Sequence, residues 1–189
     1  MTLKDTLVPT YIQMLGALSA WLDKASDQLP ADRAAAIMRA RLAPDMFPLF
    51  TQICFSCVQA QEGIFRLRHE EMPASVGALL ADGRNADTTT PTIADARARI
   101  AETLRIVEAA AADAPDLSPD APLAHTLPNG MVFDLTAAQY IRDWALPQLY
   151  FHVMAAYAIL RAEGVGIGKA DFVAHMFPFL RPGTMPKPG

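Results

Sequence analysis

Between residues 46 and 67, Met46, Phe50, Ile53, Cys57, Ala60, Ile64 and Leu67 alternate at steps of four and three. A helix turns once in about 3.6 residues, so this spacing keeps every apolar side chain on one side. A strand, whose side chains alternate, would scatter them over both faces. The pattern therefore predicts a long helix with an apolar seam, and a seam has to be buried against something. Leu7, Tyr11, Met14, Leu18, Trp21, Ala25 and Leu29 repeat it earlier in the chain, and Ile93, Ile100, Leu104, Val107 and Ala111 repeat it later. The stretch 136–163 is apolar around nearly its whole circumference, through Trp144, Leu146, Leu149, Tyr150, Phe151, Val153, Met154, Tyr157, Ile159 and Leu160. A helix of that kind is covered on all sides, by its own chain or by a second copy.

Punctuation sets the expected boundaries. Pro9 fits the first turn of a helix over 6–28, and Pro44 ends a short helix over 31–42. Asp45 is the expected cap of the second long helix, with Pro48 in its first turn. Residues 73–91 mix Gly, Asp, Asn and Thr and read mainly as loop. Thr92 with Asp95, and Thr136 with Gln139, have the residue types of capping pairs for the third and fourth long helices. Residues 114–122 read as a linker. Pro128-Asn129-Gly130 between two short extended runs predicts a β-hairpin. Gly164 ends the fourth helix, and a last short helix is expected over 170–177. The reading is an all-α four-helix bundle with a small β-hairpin in the long crossover. It occupies residues 1–180 as one domain, followed by a flexible tail over 181–189.

Charge and composition narrow the function classes. The formal net charge is −4 and the signs are mixed, so no nucleic-acid surface is expected. No apolar run is long enough to span a membrane, and no leader peptide is visible. With only two cysteines, a cytoplasmic protein with reduced thiols is expected. Cys54-Phe55-Ser56-Cys57 lies well inside a helix, where the dipole gives a thiol little help, so the pair reads as structural. Gly164-Val165-Gly166-Ile167-Gly168-Lys169 follows a helix and lacks the Ser or Thr of a phosphate loop.

Gln148 and His152 are the polar pair of most interest. They stand four apart on a helix face shared with Trp144, just around Pro147, whose missing N–H should kink the helix beside them. A core histidine hydrogen-bonded to Gln148, a carbonyl or a tyrosine is the plain reading, and a metal ligand the sharper one. His69, His125 and His175 fall in loops or end segments. Asp45 and Asp143 are the candidate acids, Asp143 beside Arg142 and Arg105.

Two stretches resemble a known family. They are Arg41-Leu42-Ala43-Pro44-Asp45-Met46-Phe47-Pro48-Leu49, and 150–161 (YFHVMAAYAILR) with Gly164 to Phe172. Over about residues 6–172 the chain is similar to an uncharacterised bacterial family of the DinB-like (YfiT-like) superfamily. The resemblance implies a four-helix bundle, often dimeric. In many members three histidines hold a divalent metal, one on the second helix and two as HxxxH on the fourth; some are thiol transferases or hydrolases. Here His152 matches the second histidine of HxxxH, Gln148 stands in the first, and no histidine lies between Asp45 and Leu67. Gln52 is the nearest polar residue to the missing ligand. The expectation is a degenerate, metal-free site lined by Gln52, Trp144, Gln148, His152 and Tyr157, without cofactor, in a homodimer that binds a small molecule. The alternative is a divalent-metal transferase or hydrolase rebuilt around His152, with Asp45, Cys54 or Gln52 as co-ligands. A third is His152 as a general base without metal. Whether the chain is an enzyme is left open by these residues.

Overall fold

The computed structural model describes residues 2–112 and 117–184. Four long helices carry the fold: α1 (Leu3–Gln28), α3 (Leu49–Leu67), α5 (Ile93–Ala112) and α7 (Leu146–Ala162). Between and after them lie α2 (Ala31–Ala36), α4 (Ala74–Arg84), the strands β1 (Pro122–Thr126) and β2 (Val132–Thr136), α6 (Ala137–Gln139) and α8 (Lys169–Phe172). In the bundle, α1 packs on α5 and α7, and α3 packs on the same two from the other side, while α4 lies against the outer face of α3. One apolar core runs from Leu7 to Ile167 through all four long helices. None of the described helices is long and apolar enough to cross a membrane.

The expected seams are the buried ones. Leu7, Tyr11, Met14, Leu18, Trp21 and Ala25 are buried on α1, and Phe50, Ile53, Cys57, Ala60, Ile64 and Leu67 on α3. Both capping pairs form. The Thr92 hydroxyl accepts from the Asp95 N–H at 3.1 Å while the Asp95 carboxylate accepts from the Thr92 N–H at 2.8 Å, and Thr136 and Gln139 do the same at 3.2 and 2.8 Å. The hairpin pairs antiparallel with Leu123 opposite Leu135 and His125 opposite Phe133. Gly130 takes φ +87° at its turn, a conformation that disfavours a side chain. Gly164, at φ +86°, closes α7: its N–H bonds the Arg161 carbonyl and the Val165 N–H bonds that of Leu160.

Several boundaries differ from the expectation: α1 begins at Leu3, so Pro9 lies past its first turn, and the short second helix ends at Ala36 in a 3₁₀ turn, Ile37–Arg39. Asp45 is exposed in a turn, and α3 begins only at Leu49, with Pro48 as its N-cap. Pro48 keeps Phe47 out of the helical region, so no helix runs through the pair. Residues 74–84, read as loop, form α4. Its Gly83 is a packing residue: a Cβ there would meet the Phe55 ring at 2.9 Å and Cys54 Cβ at 3.2 Å, and its carbonyl accepts from the Thr51 hydroxyl at 2.6 Å. The fourth helix is not continuous from Thr136. Residues 140–145 widen into a π-turn in which the Leu146 N–H reaches the Ile141 carbonyl five residues back. Pro147 explains the position, because it offers no N–H to the Asp143 carbonyl and its ring crowds that group. The last helix is split into α8 and a 3₁₀ segment, Ala174–Phe179. Of the expected tail and linker, residues 185–189 and 114–116 lie outside the described residues.

α1 and α3 approach closely at Gly63. A Cβ at Gly63 would stand 1.9 Å from the Tyr11 hydroxyl oxygen, and Tyr11 is fully buried. Gly63→Ala is expected to cost about 1–3 kcal/mol through overpacking, read as a lower urea midpoint with an unchanged slope. Tyr11→Phe, which removes the oxygen in the way, is expected to recover part of that loss in the double variant. Equal stability of Gly63→Ala and the parent would show that the approach is looser than described.

Candidate functional site

The face singled out in the sequence comes together in part. His152 of α7 and Gln52 of α3 are both buried, and the His152 Nδ1 lies 2.8 Å from Gln52 Oε1. An amide oxygen only accepts, so Nδ1 carries the proton and donates. The Gln52 amide nitrogen donates in turn to the Phe47 carbonyl at 3.3 Å. Phe55 and Phe151 present T-shaped ring contacts to His152 at 5.4 and 5.2 Å. Burial alone pushes the His152 imidazole down to about 4, with no charged group acting on it. The ring is therefore neutral at pH 7, held by an amide and walled by phenyl groups.

The other predicted residues go elsewhere. Gln148 is half-buried one turn before His152 and makes no hydrogen bond to it. Tyr157 packs edge-on against Trp21 at 5.3 Å, toward α1 and α8. Trp144 turns toward the hairpin, its ring 4.5 Å from that of His125. Asp45 is exposed, and Asp143 pairs with Arg142 at 2.6 Å. Cys54 and Cys57 are buried free thiols. Burial pushes Cys57 up to about 12 and raises Cys54 as well, so neither is a thiolate at pH 7. Among the described residues no three His, Cys, Asp or Glu side chains gather to hold a metal ion.

A second polar group was missed in the sequence. His125, expected in a loop, lies on β1 with 2 % of its surface exposed, in the same inward register as Leu123. Its ring is 5.4 Å from that of Tyr140, which is fully buried in the π-turn. Glu62 and Arg66 of α3 complete the group. Burial, with a smaller contribution from the Arg66 charge, pushes His125 down to about 4. Burial raises Glu62, with Arg66 opposing, and raises Tyr140, with Glu62 adding to the effect. The alternation of Leu123 and His125 was the available signal, but period two over five residues does not reveal which face is inward. Along α3, Gln52 and Glu62 are ten residues apart, roughly 15 Å at 1.5 Å per residue, so the two groups are separate.

Both buried histidines bind a proton more weakly folded than unfolded. Their folded values of about 4 stand below the ordinary 6.5, so between those pH values the unfolded chain holds protons that the folded chain does not. Stability is thus full above about pH 6.5 and falls as pH drops toward 4. Urea unfolding at pH 5 is expected to show a loss of at most about 2 kcal/mol per ring relative to pH 7. His152→Gln should flatten that dependence by one ring's share. Equal stability at the two pH values would contradict the neutral, buried assignment.

The comparisons with known proteins agree with this architecture. Residues 3–173 match the family model described as a domain of unknown function, DUF1993. The chain is similar to the crystal structure of a DinB family member from Shewanella denitrificans, with 31 % identity and a TM-score of 0.68 over 99 % of this chain and 95 % of that one. No curated protein matches the chain. The chain belongs to the DUF1993 family, on the DinB-like fold.

Proposed function

We propose that this protein is a metal-independent small-molecule-binding bundle in which the DinB-type site has become a neutral structural pair. The observation that carries this reading is the hydrogen bond of His152 to Gln52 at 2.8 Å. It takes His152 Nδ1 and the Gln52 amide oxygen, which leaves Nε2 as the one nitrogen able to ligate, and a single imidazole does not hold a divalent ion. Gln52 is neutral, and among the described residues no carboxylate or thiolate adjoins His152 to hold a divalent charge. The small-molecule part is supported by cavities between α3, α4 and the hairpin that meet buried polar atoms. Two free thiols fit a reducing, cytoplasmic compartment.

Metal analysis of chain purified without chelator tests the metal part. Well under 0.1 zinc, nickel or manganese per chain is expected, with a melting temperature unmoved by added zinc or by EDTA. About one metal per chain, lost in His152→Ala, would overturn the reading in favour of a rebuilt metal site. A thermal-shift screen of small metabolites in EDTA tests the binding part. At least one compound class should raise the melting temperature in saturable fashion, and a flat response across acids, bases and neutral compounds counts against it.

We also propose that a second copy covers the outer face of α7. Tyr150, Phe151 and Met154 are exposed there, and Phe47 continues the patch through Phe55, 5.4 Å away. Contiguous apolar surface of this kind marks association. Light scattering during gel filtration should give twice the chain mass for the parent and the monomer mass for Phe151→Glu/Met154→Glu. A monomeric parent at 100 μM would rule out this face as a dimer contact.

A further inference from the structure

At the hairpin end of the bundle, polar side chains from α3, β1 and the π-turn converge without satisfying one another. Gln59 Oε1, Arg66 Nε, both ring nitrogens of His125 and Trp144 Nε1 are all buried without a hydrogen-bond partner. Buried polar atoms in folded proteins are nearly always bonded, to protein or to something bound. Unbonded groups around one hollow call for an occupant, water or a ligand, that meets them. The hollow is there, with a volume of about 150 Å³. Gln59, Glu62, Arg66, His125 and Trp144 line it, and Val58, Leu80 and Leu127 give it an apolar side.

The chemistry of the orphans selects the occupant. Arg66 Nε and Trp144 Nε1 can only donate, neutral His125 donates at one ring nitrogen and accepts at the other, and Gln59 Oε1 can only accept. Donors in excess call for an acceptor-rich ligand. Arg66 and Arg84 line the hollow against the single acid Glu62, so its net charge favours an anion. Its size suits roughly one benzene ring's worth of atoms. The π-turn supplies Trp144 to the lining and Tyr140 beside His125, and such turns recur at functional sites.

We propose that this hollow binds a small organic monocarboxylate, its carboxylate received by Arg66 and the Trp144 indole N–H and its apolar end lying against Val58, Leu80 and Leu127. Glu62, pushed up by burial, sits where a proton on it would add a further donor. The proposal rests on the small-molecule reading above and does not depend on the state of the Gln52–His152 pair.

Calorimetric titration of the full chain with butyrate, isobutyrate, benzoate and uncharged benzamide tests it, with tryptophan fluorescence read in parallel. At least one acid is expected to saturate a single site and change the fluorescence, with benzamide at least tenfold weaker than benzoate. Arg66→Gln should weaken the best acid at least tenfold, Arg66→Lys less, and Trp144→Phe should remove the fluorescence change; circular dichroism confirms that each variant is folded. His152→Gln, remote from the hollow, should bind as the parent does. Benzamide binding as well as benzoate, or acid binding unchanged in folded Arg66→Gln, overturns the proposal while leaving the small-molecule reading in place. Titrations flat for all three acids overturn it as well, and the metabolite screen then decides the broader reading.

Discussion

Everything in this bundle is arranged around a helix that has almost no wet side. α3 is touched by α1, α4, α5 and α7, so each polar side chain it carries has to find its partner inside the protein. Four of them do. Thr51 donates to the Gly83 carbonyl of α4, and Ser56 returns its hydroxyl to the Gln52 carbonyl. Gln52 meets His152 of α7. Gln61 donates to Thr103 of α5 and accepts from Ser75 at the start of α4. Each of the bonds that leave α3 selects one rotation of a neighbour about it, which apolar packing alone leaves loosely set. Removing one partner of such a pair leaves the other buried and unmet, at a cost of about 1–3 kcal/mol.

That view separates what the sequence made legible from what it did not. The seams of α1, α3 and α5 were readable because apolar spacing is a local property with a fixed period. The caps at Thr92 and Thr136 were readable because partner and cap lie three residues apart. α4 was missed because Gly77 and Gly83 look like turn residues. The reason for Gly83, the Phe55 ring across an interhelical contact, lies 28 positions earlier in the chain. Asp45 was misread as a cap because residue type was weighed above the rule that a residue before proline leaves the helical region. The candidate site followed the same division. Gln148 and His152 were found as an i, i+4 pair on one helix, whereas Gln52 was placed by resemblance and its bond to His152 spans 100 positions. His125 acquires its burial from Trp144 and Tyr140, and nothing local to β1 announces it.

The DinB-like fold and the local chemistry also part company at His152. A metal at that depth requires ligands that can offset its charge, and a protonated imidazole would require a carboxylate. Neither is beside His152, whose ring is shifted by burial alone. The surface above is correspondingly apolar, with Phe47 and Phe151 exposed next to rings that wall the histidine. An amide in place of a charged ligand set is what allows such a surface to form, because a phenyl-walled charge would be costly to desolvate. Gln52 thus lets a buried histidine stand neutral beneath an apolar face.

The charged chemistry of α3 is instead found at its other end. From Gln52 to Glu62 the helix advances about 15 Å, and over that distance its polar side chains change from satisfied and neutral to ionisable and incompletely bonded. The widened turn at 140–145 is what brings this about on the opposing side. Tyr140 and Trp144 stand four apart across this turn, on one face, and both reach His125 of the hairpin. A regular helix through Pro147 would leave the Asp143 carbonyl unbonded and crowded by the proline ring, and the widened turn takes up that break. The proline at the head of α7 therefore acts at two sites: it starts the helix that carries His152, and it forces the turn that assembles the polar hollow beneath the hairpin.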